Sequence, residues 1–243
     1  MAGPTANRFH FPKEEGCLVW VVAHRGGGHL FPENTLTAVK AVGRLGVDYI
    51  ECDVHLSADG HLMVVHDRSL ERTAKVQANV DDLTRDQLAR LDVGDGCGVP
   101  ALEDVLRAAD VPLRVELKTP ETLEALVALL RQNPMWRDRM TPTSFDHRLM
   151  RELNQAVPGL VTGALLSGLP VHPGTVARDA GCRFMSLQHR LLDAAYIDLC
   201  HQEGILINAW TPNLLEEILP LVQMGIDGIT SDRPDLALQA RAL

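Results

Sequence analysis

The sequence predicts an α/β fold, a (β/α)8 TIM barrel with a small insertion after the second strand. Two patterns carry that expectation. Apolar runs of strand length alternate with amphipathic stretches of helical period, eight of each. Polar residues gather at the C-terminal ends of those runs, where such a barrel carries its active site. A doubly wound sheet is the alternative. The chain of 243 residues is read as one domain, 1–243, with the insertion at 67–100.

Residues 1–16 read as a loose leader without the apolar core of a signal peptide. The run at 18–24 is a buried strand ending in His24-Arg25-Gly26-Gly27-Gly28. Glycines there mark a backbone that turns sharply or approaches a ligand. Pro32-Glu33-Asn34-Thr35 opens a helix, with Asn34 as N-cap and Leu36, Val39 and Val42 on one face.

The second strand, at 47–54, carries Glu51-Cys52-Asp53-Val54-His55. Alternation aims Glu51, Asp53 and His55 to one face. Asp59-Gly60 is a tight-turn signal, and a turn this short returns an antiparallel arm. A turn centred near Asp59 puts His66 beside Cys52 and Asp53. Later strands are expected near 112–118, 141–145, 160–166, 182–187, 204–210 and 226–230. Helices are expected near 34–45, 101–109, 120–132, 146–156, 173–180, 191–203, 213–223 and 234–241. The insertion holds a helix start at Asp81-Asp82-Leu83-Thr84 and a glycine-rich loop at 94–98.

A net charge of −9 argues against a general nucleic-acid binder, which needs a basic face. An anionic substrate must then be held by local cations or a metal. The 4% aromatic content is too low for a base-stacking platform. Five cysteines, an odd number without paired metal spacing, fit reduced thiols in a cytoplasmic protein. No apolar run reaches membrane-spanning length. Nothing in the sequence sets the oligomeric state.

The strand ends offer His24 and Arg25, Glu51 and Asp53, Glu116 and Lys118, Phe145, Trp210, and Asp232, and the return arm adds His66. Taken singly, most have plain structural explanations. Glu-x-Asp on a strand is usually a solvated edge. Glu116 and Lys118 suit an ion pair inside the barrel. Trp210 suits the core. His29, His55 and His61 sit by glycines or turns and are expected to be exposed; His147, His189 and His201 are expected to be solvated.

Taken together, the same residues describe chemistry. Three carboxylates on adjacent strands repel unless a cation sits among them, and oxygen donors favour Mg²⁺ or Ca²⁺. Two histidines suit an acid–base pair near neutral pH. Arg25 and Lys118 supply charge for a phosphate. The set reads as a metal-assisted phosphoester cleavage site.

The ordered set His24-Arg25-Gly26, Pro32-Glu33-Asn34-Thr35, Glu51-x-Asp53-Val54, Asp59-Gly60, His66-Asp67, Glu116-x-Lys118, Ser144-Phe145-Asp146, Trp210-Thr211 and Thr230-Ser231-Asp232-Arg233-Pro234 resembles the glycerophosphodiester phosphodiesterase family over about 19–235. The resemblance implies the barrel and a divalent metal, Mg²⁺ or Ca²⁺, on Glu51, Asp53 and Glu116. It implies His24 and His66 as the catalytic acid–base pair. It implies that Arg25 and Lys118 hold the phosphate, that Glu33 orients Arg25, and that Phe145 and Trp210 line the glycerol side. The implied substrate is a small glycerophosphodiester, cleaved to glycerol 3-phosphate and an alcohol. The insertion departs from the family pattern at Arg72-Thr73-Ala74-Lys75-Val76, which assigns residues 67–100 to substrate choice.

Two other functions use the same fold. A lysophospholipase D-like enzyme needs an apolar mouth, and the charged stretch 67–100 does not provide one. A catalytically silent barrel that binds a phosphorylated ligand is favoured by loss of a histidine or metal ligand, and none is lost.

Overall fold

The computed structural model describes residues 19–243. The expected leader, Cys17 and the first residue of the expected first strand lie outside the described residues. Eight parallel strands close into a barrel: β1 (Trp20–Ala23), β2 (Tyr49–Leu56), β4 (Leu113–Leu117), β5 (Met140–Ser144), β6 (Gly163–Leu166), β7 (Phe184–Gln188), β8 (Leu206–Trp210) and β9 (Gly228–Ser231). Closure is made by β1, which pairs with both β9 and β2. The ninth strand, β3 (Leu62–Val64), is the expected return arm and pairs antiparallel with β2.

The outer layer is α1 (Leu36–Gly43), α4 (Leu102–Ala108), α5 (Thr122–Gln132), α6 (His147–Ala156), α7 (Pro173–Ala180), α8 (Ala194–Gln202), α9 (Leu215–Gln223) and α10 (Pro234–Arg241). The short helices α2 (Glu71–Ala74) and α3 (Arg85–Leu88) belong to the insertion. Among the described residues, no helix is long and apolar enough to cross a membrane.

Strand alternation divides the core into two regions. Val21, Ala23, Cys52 and Val54 face the helices and join the main apolar cluster. Trp20, Val22 and Tyr49 face the barrel interior with Leu206. Two glycines make room for that interior. A Cβ on Gly228 would lie 1.5 Å from Trp20 Nε1, and one on Gly163 would lie 2.2 Å from the Phe184 ring. The insertion has its own small core of Met63, Val65, Leu70, Val80, Leu88, Val99 and Ala101. It therefore packs as a unit on the return arm.

The first helix is capped one residue later than expected. Thr35 is the N-cap, and its hydroxyl accepts from Ala38 N at 3.1 Å. Asn34 instead adopts a left-handed conformation, with φ of 57°, and donates its side-chain amide to Asp53 at 2.9 Å. Asparagine tolerates that conformation better than most residues.

Gly228→Ala should lower stability by about 1–3 kcal/mol, the usual cost of overpacking a filled core. Gly43→Ala, where a Cβ meets nothing within 4 Å, should be neutral or slightly stabilising. Urea denaturation of the two variants checks this; equal midpoints would mean that Trp20 can move aside.

Candidate active site

The β2–β3 hairpin builds the centre of the site. Its register pairs Val54 with Val64 and Leu56 with Leu62, which centres the turn on Asp59. Ser57 Oγ donates to Asp59, and Gly60 supplies the left-handed residue. Val65 N donates to Asp53 O, so His66 arrives level with Cys52, as the spacing predicts. In the other direction β2 pairs with β4, with Glu51 beside Arg114 and Asp53 beside Glu116.

A cavity of about 170 Å³ opens at the strand ends, lined by His24, Arg25, Glu51, His66, Glu116, Lys118, Phe145 and Trp210 among others. Eight of the ten predicted site residues thus share one pocket. The other two contact residues that line it. Asp53 is fully buried beneath the pocket. Glu33 accepts from Arg25 at 3.3 Å. Among the described residues, Glu51, Asp53 and Glu116 each place an oxygen within 4.8 Å of the others. Phe145 and Trp210 meet edge to face with ring centroids 5.8 Å apart.

Each imidazole is held by a carboxylate. His24 Nδ1 lies 2.6 Å from Asp232 Oδ1, and His66 Nδ1 lies 2.6 Å from Asp67 Oδ1. An ionised carboxylate only accepts, so Nδ1 donates and Nε2 is the free nitrogen of each ring. Burial alone would lower His24, but the Asp232 bond and the charges of Glu51 and Asp232 outweigh it and hold His24 above the ordinary histidine value. Burial also acts on His66, and with Lys118 and Arg25 it outweighs Asp53 and holds His66 below that value.

A model of the glycerophosphoryl diester phosphodiesterase family matches residues 24–236. The chain belongs to this family. It is 29% identical over 230 residues to a glycerophosphodiester phosphodiesterase of Caldanaerobacter subterraneus, covering 88% of this chain and 94% of that one. It is 30% identical over 234 residues to a probable glycerophosphodiester phosphodiesterase 2 of Mycobacterium tuberculosis, covering 88% of each. Among solved structures, an Oleispira antarctica phosphodiesterase in complex with the product sn-glycerol-3-phosphate is similar at a TM-score of 0.87 and 26% identity, with 93% of this chain and 98% of that one covered.

Several residues of this family member's site escaped the sequence reading. Arg114 is the largest omission. It is 3% exposed inside the barrel, and its guanidinium sits 5.3 Å from the Trp20 ring centre, 5.0 Å from Tyr49 and 4.6 Å from Phe184. Aromatic faces rather than hydrogen bonds hold its nitrogens. Burial pushes its pKa down to about 10, which leaves it charged at neutral pH. Inward alternation from Glu116 would have found it. Asp67 and Arg72 are the second omission: Arg72 donates to Asp67 at 2.5 Å and to Glu33 at 2.6 and 3.0 Å.

Five histidines differ from expectation, His61 among them because it is half-buried. His55 is 7% exposed and bonds His66 O at 3.0 Å, because the hairpin folds over it. His147, His189 and His201 are half-buried, and their rings bond Leu165 O, Trp210 O and Asp227. Each bridges a helix or loop to a neighbouring strand and is not solvated.

The carboxylates carry an electrostatic conflict. Burial, then Asp53, pushes Glu51 well above the carboxylate range, and burial with Asp53 also raises Glu116. Asp53 is depressed despite its burial, by Lys118, His66 and Arg25. Lys118 donates to Asp53 at 3.2 Å and to Glu116 at 2.8 Å, so the ion pair suggested by the sequence exists and leaves Glu51 to the Arg25 backbone N and the more distant His24. Three close oxygens with too little positive charge fit a hard divalent cation.

That fit predicts a stability response independent of turnover. A divalent cation at about 100 times its Kd should add about 2.7 kcal/mol to unfolding. Glu116→Gln should weaken cation affinity by more than the ~10-fold that losing a neighbour of a ligand costs. Calorimetric titration and thermal melts read both; a melt indifferent to chelation would remove the cation site.

Proposed function

We propose that the chain hydrolyses glycerophosphodiesters to glycerol 3-phosphate and an alcohol, with Mg²⁺ or Ca²⁺ held by Glu51, Asp53 and Glu116. One observation carries this reading: two carboxylate-held imidazoles, three cationic side chains and two of the three clustered carboxylates line one cavity, with Asp53 beneath it. Family membership and the glycerol 3-phosphate on the similar Oleispira antarctica enzyme support the substrate class. The four cysteines among the described residues are free, which supports a reducing, cytoplasmic setting.

Geometry supports a role for each group. Arg25 takes a fixed direction from two anchors: its backbone N donates to Glu51 at 2.8 Å, and its guanidinium donates to Glu33. The fork is thereby presented to a phosphate. Lys118 adds a point charge on the neighbouring wall. A cation held by Glu51, Asp53 and Glu116 would supply Lewis-acid charge at the phosphate. Phe145 and Trp210 give the glycerol an apolar edge. The opposed shifts of the two imidazoles support His66 as the proton acceptor from the attacking group, a water or the neighbouring glycerol hydroxyl. They support His24 as the donor to the alcohol oxygen as its bond to phosphorus breaks.

Turnover of glycerophosphocholine, glycerophosphoethanolamine and glycerophosphoglycerol with Mg²⁺ and with Ca²⁺ tests the function; no turnover of any ends it. His24→Ala and His66→Ala should each lower kcat by at least ~100-fold with the fold retained. The pH profile tests the assignment. His66, held below the ordinary value of 6.5, stays neutral until pH falls below that value. His24, held above it, stays protonated until pH rises through its own higher value. kcat/KM should therefore plateau on both sides of 6.5. Asp232→Asn removes a group that raises His24, so the alkaline limb should move to lower pH and the acid limb should stay. An unmoved alkaline limb would mean that Asp232 does not set His24.

A further inference from the structure

The mouth of the barrel has an ionic wall at the insertion, where Arg72 joins Glu33 to Asp67, and an apolar wall over the ends of β5 and β6, where Phe145, Leu165 and Leu169 stand. A third arc is made by the ends of β8, β9 and β1, which are neighbours in the sheet. It holds a chain of hydrogen bonds that ends on His24. Glu217 of α9 accepts from Asn213 N at 3.0 Å. The Asn213 amide then grips Asp232 at two points. Its Oδ1 accepts from Asp232 N at 2.8 Å, and its Nδ2 donates to Asp232 Oδ2 at 2.8 Å. The other carboxylate oxygen, Oδ1, takes the His24 Nδ1 hydrogen at 2.6 Å.

Two oxygens with two different donors hold the Asp232 carboxylate in one orientation. The identity of the donor matters as well as its place. Asp67, which holds His66, is itself held by Arg72, a cation that draws on its charge. Asp232 is held by a neutral amide, which fixes the carboxylate and leaves its charge to the imidazole. A general acid needs that arrangement, because the charge favours a protonated ring and the fixed oxygen aims its free nitrogen. Asn213 does not line the catalytic cavity, so an effect of Asn213 on the chemistry passes through Asp232.

We propose that Asn213 is a positioning residue of the phosphodiesterase reaction, acting through Asp232 to aim the His24 Nε2 proton at the leaving alcohol. This rests on the phosphodiesterase reading and on His24 as the acid. The step served is a proton transfer. The electron pair of the breaking P–O bond passes to the alcohol oxygen, that oxygen takes the proton from Nε2, and His24 is left neutral.

Two substrates separate this role from a structural one. Glycerophosphocholine must expel an alkoxide and needs the proton. The p-nitrophenyl ester of glycerol 3-phosphate expels a stable phenolate and does not. With the metal-loaded enzyme, Asn213→Ala should lower kcat for glycerophosphocholine by about 10-fold or more, part of what a general acid supplies, and change kcat for the p-nitrophenyl ester by less than about twofold. Asn213→Asp keeps an acceptor for Asp232 N and loses the donor to Oδ2. It should give the same split, and it carries the test if the alanine variant does not fold. Glycerol 3-phosphate affinity, read by calorimetry, should stay at the wild-type level, since Arg25 and Lys118 are untouched. In an Asp232→Asn background, Asn213→Ala should cost less than about twofold more, as expected of two residues acting as one unit.

Equal losses on both substrates, or failure of both variants to fold, would overturn the proposal and make Asn213 a staple between the loops after β8 and β9. No loss on either substrate, or a full further loss in the Asp232→Asn background, would overturn it too. A wild-type enzyme that cleaves neither substrate would end the phosphodiesterase reading itself.

Discussion

Three carboxylates with oxygens within 4.8 Å of one another, at the end of a filled barrel, are the constraint to which the surrounding structure responds. Bare charges that close and that buried are unfavourable by many kcal/mol in a low-dielectric interior. Lys118 answers with bonds to Asp53 and Glu116, and Arg25 answers with its guanidinium 3.6 Å from Asp53 and its backbone N on Glu51. Arg114 acts differently. Caged by Trp20, Tyr49 and Phe184, it places a permanent positive charge beside Glu51 in the barrel interior without occupying a carboxylate oxygen. The triad is thus relieved in part while its oxygens stay available to a cation. The glycines at 163 and 228 belong to the same arrangement, because they clear the space into which the aromatic cage fits.

A second set of bonds links the insertion to the reacting groups. His66 bonds Asp67, Asp67 and Glu33 share Arg72, and Glu33 bonds Arg25. The His66 imidazole and the Arg25 guanidinium are therefore both tied to a single insertion arginine. The family departure around Arg72 had suggested that residues 67–100 select the substrate. The contacts give the insertion an orienting role as well. Its separate core around Met63, Leu70 and Leu88 gives that role a rigid base.

The barrel and most of the site were legible because both depend on short-range periodicity. Alternation along a strand puts Glu51 with Asp53 and Glu116 with Lys118, and a two-residue turn signal returns His66 to their level. The residues that escaped depend on geometry that period does not encode. Thr35 rather than Asn34 caps the first helix because Asp53, distant in sequence, claims the Asn34 amide. His55 is buried because the arm folds over it, although its strand position beside a turn suggests a rim. Arg114 alternates inward with Glu116, but a single arginine before a strand end does not reveal that three aromatic rings from β1, β2 and β7 will surround it.

The two walls of the mouth follow from the same topology. The insertion is spliced between β3 and α4, so its charged helix α2 is delivered beside β1 and β2, where the carboxylates already demand cations. The loops after β5 and β6 lie beyond β4 from the insertion, and the carboxylate there, Asp146, binds Arg148 and caps its own helix outside the groove. Their residues are free to be apolar, and Phe145, Leu165 and Leu169 are. Charge sorted by strand order therefore gives the mouth an ionic side at the insertion and an apolar side over the ends of β5 and β6. A sequence reading that judged the mouth by the insertion alone saw only the ionic side, because the apolar one comes from two loops separated in sequence by α6 and brought together by the pairing of β5 with β6.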